Sequence, residues 1–323
     1  MSWRKSRLLE TKLIPDSLWD AENSILLLPP PLVKAYVTLI NRHDLQELAV
    51  SRDSKNPPTG GLTQEKTDEH FAQAFDGSVA RAQLALLDPK CDAILSSNAY
   101  IQSLAGNKLS LTDAPCGAGA AAFSFLANIA ELRARGVLPR QPLDVCLIGA
   151  ELSEPARVYA QLLLNKLCVE LETQAIFVEA EFISWDVTES LSNTDLITRM
   201  TLASGTHPQR LLIIANFNGF LEKEKKRSEA EPQFNELFRH ASGKNSVALW
   251  IEPDMNRATS NGGLFHWLRN KIANTKWGKF IKELSDNIEP VLTSSAEFQL
   301  PLALDETATV RLAVMPLSLE RTE

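Results

Sequence analysis

Residues 109–123, which read LSLTDAPCGAGAAAF, restrict the fold of this 323-residue chain more than any other stretch. The stretch begins as an apolar, β-compatible run, reaches Asp113, turns through Gly117 and Gly119, and continues as a helix of small and apolar residues. Glycines let a ligand approach the backbone closely, and the start of the following helix offers unpaired N–H groups with a partial positive charge. The pattern therefore predicts a strand–loop–helix unit that binds an anionic or strongly polar ligand.

The spacing of polar residues around this loop separates the classes of ligand. Residues 117–122 fit the dinucleotide pattern G-x-G-x-x-G/A loosely, but that pattern requires an acid about 20 residues after the glycines. Here the next strand-like run, residues 143–150, ends at Glu151, well beyond that distance, and the pattern does not call for Asp113. A phosphate-binding P-loop is excluded because no Gly-Lys-Ser/Thr follows. A dinucleotide cofactor remains the weaker alternative.

The loop resembles the first motif of the class I S-adenosylmethionine (SAM) methyltransferases, which is usually Asp-x-Gly-x-Gly-x-Gly. Here it reads Asp-Ala-Pro-Cys-Gly-Ala-Gly, with proline at the first glycine position, a variant found within that family. The resemblance implies SAM as the cofactor. It places five residues of the loop at the cofactor: Asp113, Pro115, Cys116, Gly117 and Gly119.

A second landmark of the same family is an acid that ends the second strand and holds the ribose hydroxyls of SAM. Glu151 and Leu152 follow the strand-like residues 143–150 directly. A helix is expected to start at once, since Ser153 is a good N-cap and Pro155 is tolerated in a first turn. The match adds Glu151 and Leu152 to the predicted cofactor site.

The third strand, about residues 175–183, runs into a turn at which the family holds the adenine ring. By the resemblance, Asp186 accepts from the adenine amino group, and Val187 or Trp185 stacks on the ring. Alternatively, Asp186 is the N-cap of the helix that follows, and the two roles are compatible.

The later strands predict the rest of the sheet. Residues 210–216 are a continuous apolar run that suits a strand buried on both faces of a parallel sheet, and residues 246–252 are similar. Residues 291–300 and 307–316 are β-rich and too close for a crossover helix, so they should pair antiparallel. We predict an α/β protein with a Rossmann-like class I methyltransferase sheet, mostly parallel with a C-terminal antiparallel hairpin, an ending that dinucleotide domains normally lack.

Residues 1–66 are predicted to be a helical leader and linker ahead of a methyltransferase domain over residues 67–323. Apolar residues recur at helical spacing in residues 32–50, whereas residues 51–61 are polar and rich in Pro and Gly. The helix expected next resembles the aromatic-bearing helix that folds over SAM as a lid in many methyltransferases, or it packs on the sheet edge. Its apolar stripe consists of Phe71, Phe75, Val79, Ala82 and Leu86.

Residues 216–220, Asn-Phe-Asn-Gly-Phe, stand where the family usually places substrate-facing groups. They resemble the Asp/Asn-Pro-Pro-aromatic motif of enzymes that methylate base amino groups, but both prolines are missing. Asn216 and Asn218 are the candidate catalytic residues because they could orient an amine or amide, and Asn216 is also placed at the cofactor. Asn218-Gly219 could instead be a simple turn.

Residues 257–282 depart from the acidic balance of the chain, because they contain six basic residues and no acidic one, interleaved with aromatics. Such a segment can follow a phosphate backbone and stack bases. The alternative is an amphipathic helix with a solvated lysine face. The predicted RNA contacts are Arg257, Arg269, Lys271, Lys276, Lys279 and Lys282.

The order Leu249-Trp-Ile-Glu-Pro253 followed by Gly262-Gly263 also bears a faint resemblance to the ribosomal small-subunit assembly methyltransferases of mitochondria and bacteria. Those proteins carry a cysteine cluster that this chain lacks. The resemblance implies RNA, or a protein associated with it, as the methyl acceptor. Because methyl transfer needs mainly alignment of the reacting atoms, catalytic residues are poorly marked in sequence. A catalytically silent SAM-fold subunit or regulator and a small-molecule methyltransferase therefore remain alternatives.

Composition limits the remaining classes of function. The net charge of −7 and pI near 5.4 argue against a protein that coats nucleic acid non-specifically. The longest apolar runs are far shorter than a membrane span, so no membrane association is expected. The four cysteines and five histidines lack metal-site spacing, so we expect reduced thiols, no metal and a cytoplasmic location. A protein partner is a further possibility that the sequence leaves open.

Overall fold

Runs of apolar residues supply the strands of one nine-stranded sheet in the computed structural model. The structure describes residues 6–52, 58, 60–243, 245–254 and 291–318. The strands are β1 (Trp19–Asp20), β2 (Ile25–Leu26), β3 (Lys108–Asp113), β4 (Leu143–Ala150), β5 (Ile176–Ile183), β6 (Gln209–Ala215), β7 (Ser246–Glu252), β8 (Leu292–Leu300) and β9 (Ala303–Ser318).

The strand order is β1-β2-β8-β9-β7-β6-β3-β4-β5. Strands β3 to β7 are parallel to their neighbours within this group, whereas β9 lies between β7 and β8 and is antiparallel to both. The sheet is therefore mostly parallel with an antiparallel C-terminal hairpin, which confirms the predicted fold class. The chain winds outward from β3 in both directions, so the switch point where ligands bind in such sheets lies at the carboxyl end of β3.

Helices cover both faces of the sheet. They are α1 (Pro30–Arg42), α2 (Gln46–Val50), α3 (Gln64–Leu87), α4 (Ile94–Gln102), α5 (Ala120–Ala134), α6 (Glu154–Thr173), α7 (Ser190–Thr206), α8 (Asn218–Lys223) and α9 (Arg227–Ala241). Alternate strand residues pack on opposite sides, as Leu211 joins the apolar cluster of α3 and α5 while Trp250 joins that of α9. Over the described ranges, no helix has the length and apolarity needed to cross a bilayer.

The first 50 residues contain strands as well as helices. Strand β2 pairs with β8, and β1 pairs with β2 at the edge of the sheet, so the prediction of a purely helical leader is wrong for residues 19–26. Strands of two residues carry too few positions to show an alternating pattern. The predicted boundary at residue 66 stays a prediction.

Helix α3 packs its predicted apolar stripe inward. Phe71 and Phe75 are buried against Tyr36 of α1, with ring centroids 5.3 and 5.1 Å away, and Phe71 also stacks on Tyr159 of α6. These contacts place the stripe against α1 and α6 rather than at the sheet edge, and the role as a lid over SAM stays a prediction. Its first turn reaches the loop after β4, where the Thr67 and Ser153 hydroxyls are 3.2 Å apart.

Candidate functional site

The glycine loop connects β3 to α5 through two residues in the left-handed region, Gly117 (φ 54°) and Gly119 (φ 84°). A Cβ atom on Gly119 would lie 2.2 Å from the ring of Phe123, whereas one on Gly117 would meet no described atom within 4 Å. Gly119 therefore lets the loop pack on α5, and Gly117 leaves bare backbone beside space that no described residue fills. The loop also contains a cis Ala114–Pro115 peptide bond and the buried Cys116, whose N–H donates to the Ala150 carbonyl.

Asp113 ends β3 and is almost completely buried, with 1% of its surface exposed. Its Oδ2 accepts from the Ala122 N–H at 3.1 Å, while no described residue donates to its buried Oδ1. Burial raises the pKa of this carboxyl to about 7; the Ala122 N–H opposes the shift, and the charge of Glu151 adds to it. Asp113 is thus a buried acceptor with one oxygen unpaired among the described residues.

Glu151 follows β4 and joins the two loops of the site. Its Oε2 accepts from the Gly117 N–H at 3.0 Å, and its Oε1 accepts from the Ser153 N–H at 2.8 Å. Burial raises the pKa of Glu151, against the effect of these two donors. The neighbouring Leu152 carbonyl accepts from Arg157 at 2.9 Å, so this loop is held by both its side chains and its backbone.

The residues predicted at the adenine ring lie after β5. Asp186 Oδ1 accepts from the Thr188 N–H at 2.9 Å and from the Thr188 hydroxyl at 2.7 Å, so it caps a local turn ahead of α7. Val187 and Trp185 are buried, with 3% and 2% of their surfaces exposed, in the cluster that includes α7 and α9. The alternative that Asp186 is the N-cap of the next helix is wrong, because α7 begins at Ser190 with Glu189 at its N-cap position, and an adenine contact stays a prediction.

The two candidate catalytic asparagines have different surroundings, but each has an arginine on its side-chain oxygen. Asn216 is exposed at the carboxyl end of β6, and its Oδ1 accepts from Arg81 at 2.5 Å. Asn218 is buried as the first residue of α8 rather than part of a simple turn, and its Oδ1 accepts from Arg227 at 2.5 Å.

Sequence reasoning missed Glu252, which is buried at the end of β7 with 2% of its surface exposed. Its Oε1 accepts from the N–H groups of Phe217 and Asn218 at 3.0 and 2.9 Å and from Trp250 Nε1 at 2.7 Å. Burial raises the pKa of Glu252 to about 6, while these donors and the charge of Arg81 oppose the shift. Its place after a predicted strand, like those of Asp113 and Glu151, was a usable signal.

These residues converge because the carboxyl ends of β3, β4, β6 and β7 share one edge of the sheet. A ligand there meets bare backbone at Gly117 and the carboxyl group of Glu151, while the buried Asp113 lies close enough to Glu151 for their charges to interact. Each Glu151 oxygen has a lone pair beyond the one used by the backbone, so it can still accept from a hydroxyl group. The residues present therefore fit SAM, which carries ribose hydroxyls and a positive charge.

The basic residues predicted to contact RNA, Arg257, Arg269, Lys271, Lys276, Lys279 and Lys282, lie outside the described residues. Their role stays a prediction.

No protein-family model matches the chain, and no curated protein is significantly similar to it. One solved structure that it resembles is a Listeria monocytogenes protein provisionally assigned as a class I SAM-dependent methyltransferase. The identity is 15%, the match covers 92% of this chain and 88% of that chain, and the TM-score is 0.35. A likeness this weak carries no argument, so the fold and site rest on the strand order and contacts described above.

Proposed function

We propose that the chain binds SAM at the carboxyl ends of β3 and β4 and transfers its methyl group to a substrate at the ends of β6 and β7. The observation that carries this proposal is the contact of Gly117 with Glu151. The Gly117 N–H donates to Glu151 Oε2, and no described residue fills the space beside this glycine. The buried Asp113, whose Oδ1 has no partner among the described residues, adds its charge behind the loop.

Each residue of this site has a role that its contacts suggest. Glu151 would hold the ribose hydroxyls while its own hydrogen bonds fix the Gly117 and Ser153 loops. Asp113 would supply a buried negative charge. The N-terminus of α5 would supply a set of N–H groups. Bound SAM would supply an electrophilic methyl group, and the protein would mainly orient the acceptor atom toward it.

We expect the Glu151→Ala variant to bind S-adenosylhomocysteine more weakly by about 1–3 kcal/mol, because a charged acceptor for two hydroxyls is lost. Calorimetry on the wild-type protein and the variant measures this difference. Glu179→Ala, which removes an exposed carboxylate from β5, is the matched control and should bind normally. A wild-type protein that binds NADH in preference to SAM would contradict the cofactor assignment.

A second candidate function is a catalytically silent SAM-fold subunit or regulator. The arginines on the side-chain oxygens of Asn216 and Asn218 favour it, since an oxygen that already accepts from a cation is a poorer acceptor for a substrate proton. Incubation with labelled SAM and fractionated cell extract separates the two functions. Label in RNA, protein or small molecules identifies the acceptor class, whereas SAM binding without any transfer supports the silent subunit.

For the acceptor we propose RNA, bound by the basic residues of segment 257–282. This segment follows β7, whose carboxyl end at Glu252 borders the site. Replacing Lys271, Lys276 and Lys279 with Gln should weaken RNA binding because phosphate contacts are lost. It should also reduce the log–log salt slope by roughly one unit for each lost contact. Binding titrations at several salt concentrations measure the slope, and S-adenosylhomocysteine affinity should stay unchanged. An unaltered salt slope in the triple variant would leave a protein or small-molecule acceptor as the better proposal.

A further inference from the structure

The side-chain amide of Asn216 has only one orientation compatible with its neighbour. Arg81 Nη1 lies 2.5 Å from Oδ1, and a guanidinium can donate hydrogen bonds but cannot accept them. The oxygen of the amide must therefore face Arg81, and the Nδ2 group is left for another partner. Within the described part of the chain, nothing accepts a hydrogen bond from Nδ2.

Arg81 is itself held in place, so it fixes Asn216 rather than following it. Its Nε donates to the Arg311 carbonyl of β9 at 3.0 Å, and the negative charge of Glu252 acts on the guanidinium. Glu252 also holds the N–H groups of Phe217 and Asn218, the two residues that follow Asn216. Contacts from β7, β9 and α3 together thereby hold the segment after β6 in place.

The backbone of Asn216 is fixed as well. Its N–H donates to the Ile251 carbonyl at 2.9 Å, and its φ of 56° is one that asparagine adopts more readily than most residues. The side chain is exposed at the carboxyl end of β6, which is the neighbour of β3 in the sheet. The Nδ2 group is therefore presented at the edge that carries Asp113.

The positive charge of Arg81 also changes what this amide can bind. It makes Oδ1 a poorer acceptor for a second donor and polarises Nδ2–H, which becomes a better donor. A substrate amine, which must donate its own N–H, forms only a weak hydrogen bond to such an amide. A substrate oxygen or ring nitrogen, which accepts from Nδ2–H, forms a stronger one.

We infer that Asn216 orients the methyl acceptor by donating a hydrogen bond from Nδ2 to a carbonyl, carboxylate or ring-nitrogen atom beside the methylated position. This inference rests on the proposed methyl transfer and names the chemistry of its substrate. It makes the role expected from the sequence more specific: Asn216 and Asn218 are expected to orient an amine or amide, and here Asn216 does so as a hydrogen-bond donor. Arg81 and Glu252 act through Asn216 as positioning residues.

Asn216→Asp tests the inference directly. Aspartate keeps an oxygen for Arg81 and tolerates the left-handed backbone, but it replaces the Nδ2 donor with an acceptor. Asn245→Asp is the matched control, because Asn245 is also left-handed (φ 59°) and precedes β7 at the opposite edge of the sheet. Both variants add the same charge.

For Asn216→Asp we expect KM to rise at least about tenfold for the extract fraction that takes label from SAM, with S-adenosylhomocysteine affinity changed less than about twofold. Asn245→Asp should behave as the wild-type protein. Nitrogen-15 NMR gives a readout besides activity. The signal of the Asn216 side-chain amide is identified as the one that is missing from the spectrum of Asn216→Asp. In the wild-type protein loaded with S-adenosylhomocysteine, this signal should shift when the same extract fraction is added.

Several outcomes would overturn the inference. Transfer by Asn216→Asp at or above the wild-type rate would mean that the side chain accepts from the substrate. Label found on an isolated amine, or S-adenosylhomocysteine binding with no transfer to any fraction, would also reject it while leaving cofactor binding intact. A wild-type protein that does not bind S-adenosylhomocysteine would overturn the proposed function and this inference together.

Discussion

Gly119→Ala is expected to lower the free energy of unfolding by roughly 2–5 kcal/mol, from left-handed backbone strain and overpacking. The new Cβ would lie 2.2 Å from the ring of Phe123, which is fully buried. The φ of 84° adds strain, because an L-residue with a Cβ rarely adopts it.

Gly117→Ala is expected to behave differently although it lies only two residues away. Its Cβ would meet no described atom, so the free energy of unfolding should fall only by about 1–2 kcal/mol, from the left-handed φ of 54°. The methyl group would instead occupy the open space proposed for SAM. We expect S-adenosylhomocysteine affinity to fall at least about tenfold, because the ligand could no longer approach the backbone.

Denaturant unfolding and calorimetry on the two variants separate packing from binding. Gly205→Ala is the control, since this exposed glycine lies in the last turn of α7, where the substitution should change the free energy of unfolding by less than about 1 kcal/mol. Equal stability of the Gly117 and Gly119 variants would contradict the described packing of the loop on α5. Undiminished binding by Gly117→Ala would place the ligand elsewhere.

The parts of the fold that follow from local chemistry could be predicted from the sequence. The glycine loop, the strand that ends before Glu151 and the N-cap Ser153, whose side chain accepts from the Ala156 N–H, depend on neighbouring residues alone. The antiparallel hairpin of β8 and β9 followed from the short connection between them. Each of these signals lies within a few residues of the structure that it predicts.

The parts that depend on distant contacts could not be predicted. Arg81 has the appearance of an ordinary surface residue of α3 until the fold brings it to Asn216, 135 positions later. Glu252 is a site residue because Phe217 and Asn218 donate to it across the sheet. The end of a predicted strand marks Glu252 as a candidate, but patterns along one segment do not identify the distant residues with which Glu252 or Arg81 pairs.

Asp113→Asn is expected to stabilise the protein at pH 8 by up to about 4 kcal/mol relative to the wild type. The pKa of Asp113 rises from its ordinary 3.8 to about 7, first because the carboxyl is buried and then because Glu151 is close. A carboxyl with a raised pKa in the folded protein favours folding when protonated. That contribution is complete below pH 3.8 and is lost as the pH rises through 7.

The asparagine side chain stays neutral at every pH, and its oxygen can still accept from the Ala122 N–H. The stability difference between the variant and the wild type should therefore be small near pH 4, grow up to pH 7 and level off above it. Urea unfolding at several pH values measures this difference. The titration of Glu252 with a pKa of about 6 is common to both proteins and largely cancels.

Asp144→Asn is the control, because it makes the same substitution at an exposed position of β4. If the difference in unfolding free energy between Asp113→Asn and the wild type does not change with pH, a donor within the protein itself compensates the charge of Asp113. If this difference grows as the pH rises, ionised Asp113 destabilises the folded protein until a cation or a hydrogen-bond donor pairs with it. The sulfonium of SAM is positively charged, so SAM should stabilise the wild type more than Asp113→Asn at pH 8, and equal stabilisation would exclude Asp113 from the cofactor site.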